Sequence, residues 1–146
     1  MDDLIPIIER SWSWTGIAPK MVLERNAFGH LLVLDQSGQF WRICPEKLAC
    51  AVVSKTDAEF SALRASGTFR EDWEMVRLRE IAQSCVGQIA QDRAYHFKIP
   101  TVLGGAYDAH NIGDVSLAEQ ISFSGDLAFQ IKDLPGGATV NLQIIE

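Results

Sequence analysis

The chain has 146 residues, a net charge of −6, 47% hydrophobic residues and 22% charged ones. A length of this order supports one domain with one sizeable core, and the composition is that of an ordinary globular protein, which excludes a disordered or fibrous chain. The acidic balance argues against direct binding of nucleic acid, because gripping phosphates needs Lys and Arg gathered on one face; it suits a basic protein partner.

The opening "MDDLIPIIERSW" is acidic where a secretory signal would be basic. No apolar run approaches the ~18 residues of a membrane span. Cys44, Cys50 and Cys85 form no even framework. The expectation is a cytoplasmic protein with buried, reduced thiols and no membrane contact.

Residues 2–12 read as a short helix, capped by Asp2 or Asp3, with Leu4, Ile5 and Ile8 on one face and Pro6 in the first turn. "LLVL" at 31–34 reads as a strand, "DQSGQ" as a turn and Phe40 to Ile43 as the returning strand. Leu48 to Ser54 follows as a third strand of an antiparallel meander; its weak alternation fits either burial on both faces or a helix. Thr56 and Glu59 stand at capping-box spacing, with Phe60 and Leu63 facing inward and Gly67 as the stop. A second helix is expected over Glu71 to Cys85, with Trp73, Val76, Ile81 and Cys85 on its apolar face. "AYHFKIP" is strand-like. "PTVLGGAYDAHNIGD", residues 100–114, reads as a turn that locks the last helix onto the sheet. That helix starts at Ser116, with Glu119 again at capping spacing, is interrupted at Ser124-Gly125, and stops at Pro135. Val140, Leu142 and Ile144 alternate with Asn141 and Gln143 as a closing strand. The fold class is α+β, a single domain over 1–146, with a mainly antiparallel sheet packed against several helices.

The sequence offers little chemistry. Gly104-Gly105 lacks the lysine of a phosphate loop and the third glycine of a dinucleotide loop, so these glycines serve a tight turn with Tyr107 packed over it. His30, His96 and His110 lie on different elements, with no metal-ligand spacing. Cys85, His110 and Asn111 have the residue types of a thiol hydrolase but no local signature. No catalytic, cofactor-binding or metal-ligating residue is assigned. Of Trp12, Trp14, Trp41 and Trp73, most belong in the core, and one left at the surface would serve as an interface anchor.

"SWSW", "NAFGHLLVLDQSGQFWRICPE", "FKIPTVLGGAYDAHNI" and "GDLAFQIKDLPGGATV" together carry a resemblance. Over about Ser11 to Ile145 the chain resembles the C-terminal domain of the immunity proteins that accompany DNase effectors of the type VI secretion system, a domain found with GAD-like domains. Its most specific parts are Pro100 to Ile112 and Gln130 to Gly137. Two stretches depart from the pattern. Ser124-Gly125-Asp126 stands where similar sequences carry Gly-Gln, and Gly113-Asp114 replaces a more acidic or apolar run. A separate N-terminal domain is not expected in this chain.

The resemblance implies a non-catalytic protein, without cofactor, that binds and neutralises a cognate toxin, a nuclease encoded by an adjacent gene. A nuclease carries a basic cleft, which an acidic inhibitor can cover. The residues expected to contact it are Asp57, Glu59, Glu71, Asp72, Glu74, Asp108 and Asp114. The rival reading is a small-ligand-binding or enzymatic domain using the Tyr107–Asn111 loop. A third is an orphan binding protein that has lost its toxin.

Overall fold

The computed structural model describes residues 1–134. Helix α1 (Ile5–Trp12) carries Pro6 in its first turn, where the missing N–H has no intrahelical partner to lose. Four antiparallel strands follow as a meander: β1 (Pro19–Arg25), β2 (Leu31–Asp35), β3 (Phe40–Cys44) and β4 (Ala49–Ser54), side by side in that order. Asp35 builds the β2–β3 turn. Its carboxylate accepts from the Ser37 and Gln39 amides, the Ser37 hydroxyl and the Trp41 indole.

The continuous apolar run in β2 reflects burial on both faces of the sheet. Leu31 and Val33 join Ile8, Trp12, Ile43 and Ile121 in one core. Leu32 points the other way, into a cluster with Phe40, Phe60 and Trp73. Two strand expectations need correction. β1 was not anticipated, because its residues alternate poorly; the ladder to β2 shifts register twice, between Pro19 and Met21 and between Val22 and Glu24. β4 is not buried on both faces: it forms the edge of the sheet, with Ala49, Ala51 and Val52 exposed.

Three short helices cross from β4 to the second sheet: α2 (Asp57–Ala65), α3 (Gly67–Glu74) and α4 (Val76–Cys85). Thr56 accepts from the Glu59 amide, and the Glu59 carboxylate returns to the Lys55 amide, so the expected cap forms. Ser66 ends α2 and caps α3 by accepting from the Phe69 amide, so Gly67 begins a helix instead of stopping one. The single helix expected over 71–85 is broken at Met75, which sits in the left-handed region at φ +46°. Trp73 is buried, but Val76 and Cys85 are exposed, so the expected shared apolar face and the buried Cys85 thiol do not hold.

Strands β5 (Arg93–Phe97) and β6 (Ile112–Ser116) pair antiparallel over a third core of Phe28, Tyr95, Phe97 and Ile112. The stretch read as one turn therefore ends in a strand. Helix α5 (Leu117–Ile131), capped by Ser116 as its spacing predicts, lies along α1. The architecture is α+β. The stop at Pro135 and the closing strand at Val140, Leu142 and Ile144 lie outside the described residues.

No break occurs at Ser124-Gly125. Gly125 is where α5 meets α1, and a Cβ there would lie 2.5 Å from the Ser11 carbonyl oxygen and 2.8 Å from its Cβ. Alanine would gain about 1 kcal/mol of helix propensity. Forced backbone displacement costs up to about 3 kcal/mol. We expect Gly125→Ala to lose roughly 2 kcal/mol net in urea unfolding, by the difference of these two terms. Gly67→Ala, with open space around it, should lose nothing. Equal stability of the two variants would show that the helices separate freely.

Candidate functional site

A cleft of about 580 Å³ opens where three elements converge: the α3–α4 elbow, the β3–β4 turn (Pro45–Lys47) and the loop of residues 98–111. Glu71, Asp72, Glu74 and Arg77 line it from the helices, Lys47 from the turn and Tyr107 from the loop. His30 and Glu46 lie at its floor.

The elbow is set by Asn26, in the β1–β2 turn. Its Oδ1 accepts from the Phe28 and His30 amides, and its Nδ2 donates to the Trp73 carbonyl at 3.0 Å and toward the Met75 sulfur at 3.5 Å. The amide thus ties the end of α3 to the sheet, and the chain turns sharply at Met75 beside it.

The loop is set by Asn111. Its Oδ1 accepts from the Ile99 amide, and its Nδ2 donates to the Ile99 and Ala106 carbonyls, at 2.8–2.9 Å. Gly105 passes so near that a Cβ would fall 1.8 Å from the Ile99 carbonyl oxygen. The glycines serve backbone geometry, as their sequence context predicts. The fastening point differs from expectation: the Thr101 hydroxyl donates to the Glu46 carbonyl at 2.8 Å, so the loop docks on the β3–β4 turn rather than securing α5. Tyr107 stands edge-on to Phe97 at 4.9 Å and remains 48% exposed.

The floor is a polar network that the sequence did not suggest. His30 Nε2 and Glu46 Oε2 lie 2.6 Å apart, both residues buried. On the other side of the ring, Arg42 Nη2 approaches Nδ1 at 2.8 Å and Cys44 Sγ at 3.4 Å. Burial disfavours a charged imidazole, but hydrogen bonding and charge from Cys44 and Glu46 favour it more, raising the ring's pKa above the usual histidine value. Arg42 decides where the proton sits. A guanidinium only donates, so Nδ1 accepts from it and Nε2 carries the hydrogen aimed at Glu46. A second proton on Nδ1 would have to displace Arg42. Arg42 also bonds Asp72 on α3 and lies 5.1 Å from the centre of the Trp73 ring. Arginine 42 and cysteine 44 are two apart on one strand, which was the available signal; their approach to His30 depends on strand pairing.

Cys44, His30 and Glu46 have the residue types of a nucleophile, base and orienting acid. Arg42 takes the ring nitrogen that the thiol would need, so the set acts as a structural clamp. The other thiol considered, Cys85, bonds the Ala82 carbonyl, and the Asn111 amide is committed to the loop. Among the described residues no cluster of His, Cys, Asp or Glu could hold a metal ion, and no helix is long and apolar enough to cross a membrane.

The seven carboxylates singled out from the sequence do not form one surface. Glu71, Asp72 and Glu74 meet on the cleft lip. Asp72 pairs with Arg42 and Glu74 with Arg70, while Glu71 has no partner among the described residues. Asp57 opens α2, where Glu59 completes the cap. Asp108 accepts from the His110 amide, and Asp114 pairs with Arg93 on the hairpin.

The Glu46 carboxyl is raised by burial, but the hydrogen bond and field of His30 outweigh this and hold it below the usual value of 4.5. Such a group stabilises the fold fully above its unfolded pKa, and that contribution is lost as pH falls through the folded value. Glu46→Gln should therefore destabilise the protein by about 1–3 kcal/mol at neutral pH. The gap should narrow below about pH 4. Urea midpoints across this range measure it, and a gap independent of pH would contradict the ionised Glu46.

Comparison with known proteins places these features. No curated protein matches the chain. Its fold resembles the crystal structure of Atu4351 from Agrobacterium tumefaciens, with a TM-score of 0.59 and 16% identity over 86% of this chain. The chain spans 63% of that structure's length. The family model for the T6SS immunity protein Tdi1, C-terminal, matches residues 54–128, from the end of β4 through most of α5. That span includes the elbow and the loop, two of the three elements that form the cleft, and covers just over half of the sequence: the chain belongs to the Tdi1 C-terminal family of type VI secretion system immunity proteins.

Proposed function

We propose that the chain is a cytoplasmic immunity protein that binds a cognate type VI secretion toxin, a nuclease encoded by an adjacent gene, and neutralises it without catalysis. The interface in this reading is the cleft and its lip. Family membership supports the toxin-binding role. The composition of the lip carries the choice of surface: half-exposed Tyr107, exposed Val76 and Glu71, which has no partner among the described residues, all line the cleft.

An aromatic anchor rimmed by polar and charged groups is the usual anatomy of a protein interface. The lip holds cations as well as carboxylates, Lys47 and Arg77 among them. Charge complementarity therefore acts locally, through Glu71 and its neighbours, while the net charge of −6 speeds encounter with a basic nuclease. Asp57, Glu59, Asp108 and Asp114 contribute to that long-range field in this reading. A ligand-handling or enzymatic role for Tyr107–Asn111 gains no support from a loop whose asparagine amide is engaged by its own backbone.

Calorimetry with the purified toxin tests the interface. Tyr107→Ala should raise Kd by roughly 30-fold, the cost of a hot-spot residue. Glu71→Lys with Glu74→Lys should raise it about tenfold or more, an effect that shrinks at high salt. Binding and protection unchanged in both variants would remove the cleft from the interface; toxin that is never bound by the wild-type chain would overturn the immunity reading itself. His110→Ala should leave binding and folding intact.

A further inference from the structure

A second pocket, of about 620 Å³, shares no lining residue with the cleft. It is open to solvent and is lined by Met1, the end of β1, Gln83 on α4, the segment of residues 86–92 and the start of β5. Arg25 and Arg93 both line it, and among the described residues no carboxylate does, in a chain whose overall charge is −6. The volume falls within the range of small-molecule sites.

Arg25 is the unusual group. It is half-buried, and its bonds go to neutral carbonyls: Nη1 donates to the Gln91 carbonyl at 2.7 Å and Nε to the Asn26 carbonyl at 3.1 Å. It makes no ion pair among the described residues. Burial works against its charge, and no anion among the described residues offsets that cost. A guanidinium carries five N–H donors, so several remain available after two backbone contacts. Arg93 is paired through Nε with Asp114, which leaves Arg25 as the pocket's arginine without an anion among the described residues.

The walls match an organic body better than a bare ion. The exposed residues Gln83, Gln88 and Gln91 line the pocket, and their side-chain amides make no hydrogen bond among the described residues. Ala27, Ile89 and Ala90 supply apolar surface beside the buried Tyr95. The Tyr95 hydroxyl donates to the Gly87 carbonyl at 2.6 Å, and Gly87 takes φ +95°, so the wall is anchored to the hairpin.

We infer that this pocket binds a small organic anion, whose carboxylate or phosphate docks on Arg25 and whose polar body is held by the three glutamine amides. The site is separate from the cleft, and its occupancy does not depend on how the toxin is recognised.

The test is a titration of the isotopically labelled protein with glutamate, AMP and inorganic phosphate, following the Arg25 Nε–H resonance by NMR. At least one of the two organic probes should shift it saturably, with a Kd at or below about 1 mM. Arg25→Gln should weaken that binding tenfold or more. Gln88→Ala with Gln83→Ala leaves the charge in place and should weaken the organic probes while sparing phosphate, so the proposal remains testable if Arg25→Gln does not fold. Three results would overturn it: no saturable shift with any probe, shifts reproduced by sodium chloride alone, or organic probes bound no better than inorganic phosphate. Loss of toxin binding in Arg25→Gln, with all three probes silent, would assign the pocket to a partner's carboxylate instead.

Discussion

The hydrogen bond between His30 and Glu46, 2.6 Å long and almost wholly removed from water, is the contact on which the cleft depends. It joins the start of β2 to the turn after β3. From Glu46 the Thr101 hydroxyl carries the connection to the loop; from the other side of the ring Arg42 carries it to Asp72 on α3. Three elements far apart in sequence are thereby held at fixed separation. A buried polar network of this kind contributes little net stability when complete, yet losing one member leaves the others without partners. Its value lies in specifying a single arrangement of the cleft walls.

Much of the architecture could be read from the chain because local chemistry and tertiary packing agree there. The caps at Thr56 and Ser116, the Asp35 turn and the apolar run of β2 each follow from a few adjacent residues. Where the two disagree, reading the sequence fails for identifiable reasons. Met75 is an ordinary helix former placed in a left-handed conformation, and the contact near it comes from Asn26, 49 residues away. Gly125 looks like a helix breaker and is instead a contact point between helices. The bulges in β1 hide its alternation. The same limit applies to the site. Glu71, Asp72 and Glu74 are visible as a local acidic run, but the histidine at the cleft floor comes from the turn before β2, and Arg25 meets Gln91 across 66 residues.

The charge distribution also separates global from local effects. The net charge of −6 shapes the long-range field, yet most carboxylates singled out from the sequence already have a job inside the fold, as caps or as partners of Arg42, Arg70 and Arg93. Glu71 is free of such work among the described residues. A partner can therefore sense the whole molecule at a distance and only a few groups at contact.

The breaks at Ser66 and Met75 divide the stretch from Asp57 to Cys85 into three rods of 9, 8 and 10 residues. None is long enough to persist as a helix in water alone, since isolated helices below about 12–15 residues are marginal. Their order is borrowed from the sheet, through Phe60 and Trp73 on one side and Ala82 on the other. The rods consequently belong to one cooperative unit with β2 and β3, and the acidic lip they present exists as a surface only while those three side chains remain seated.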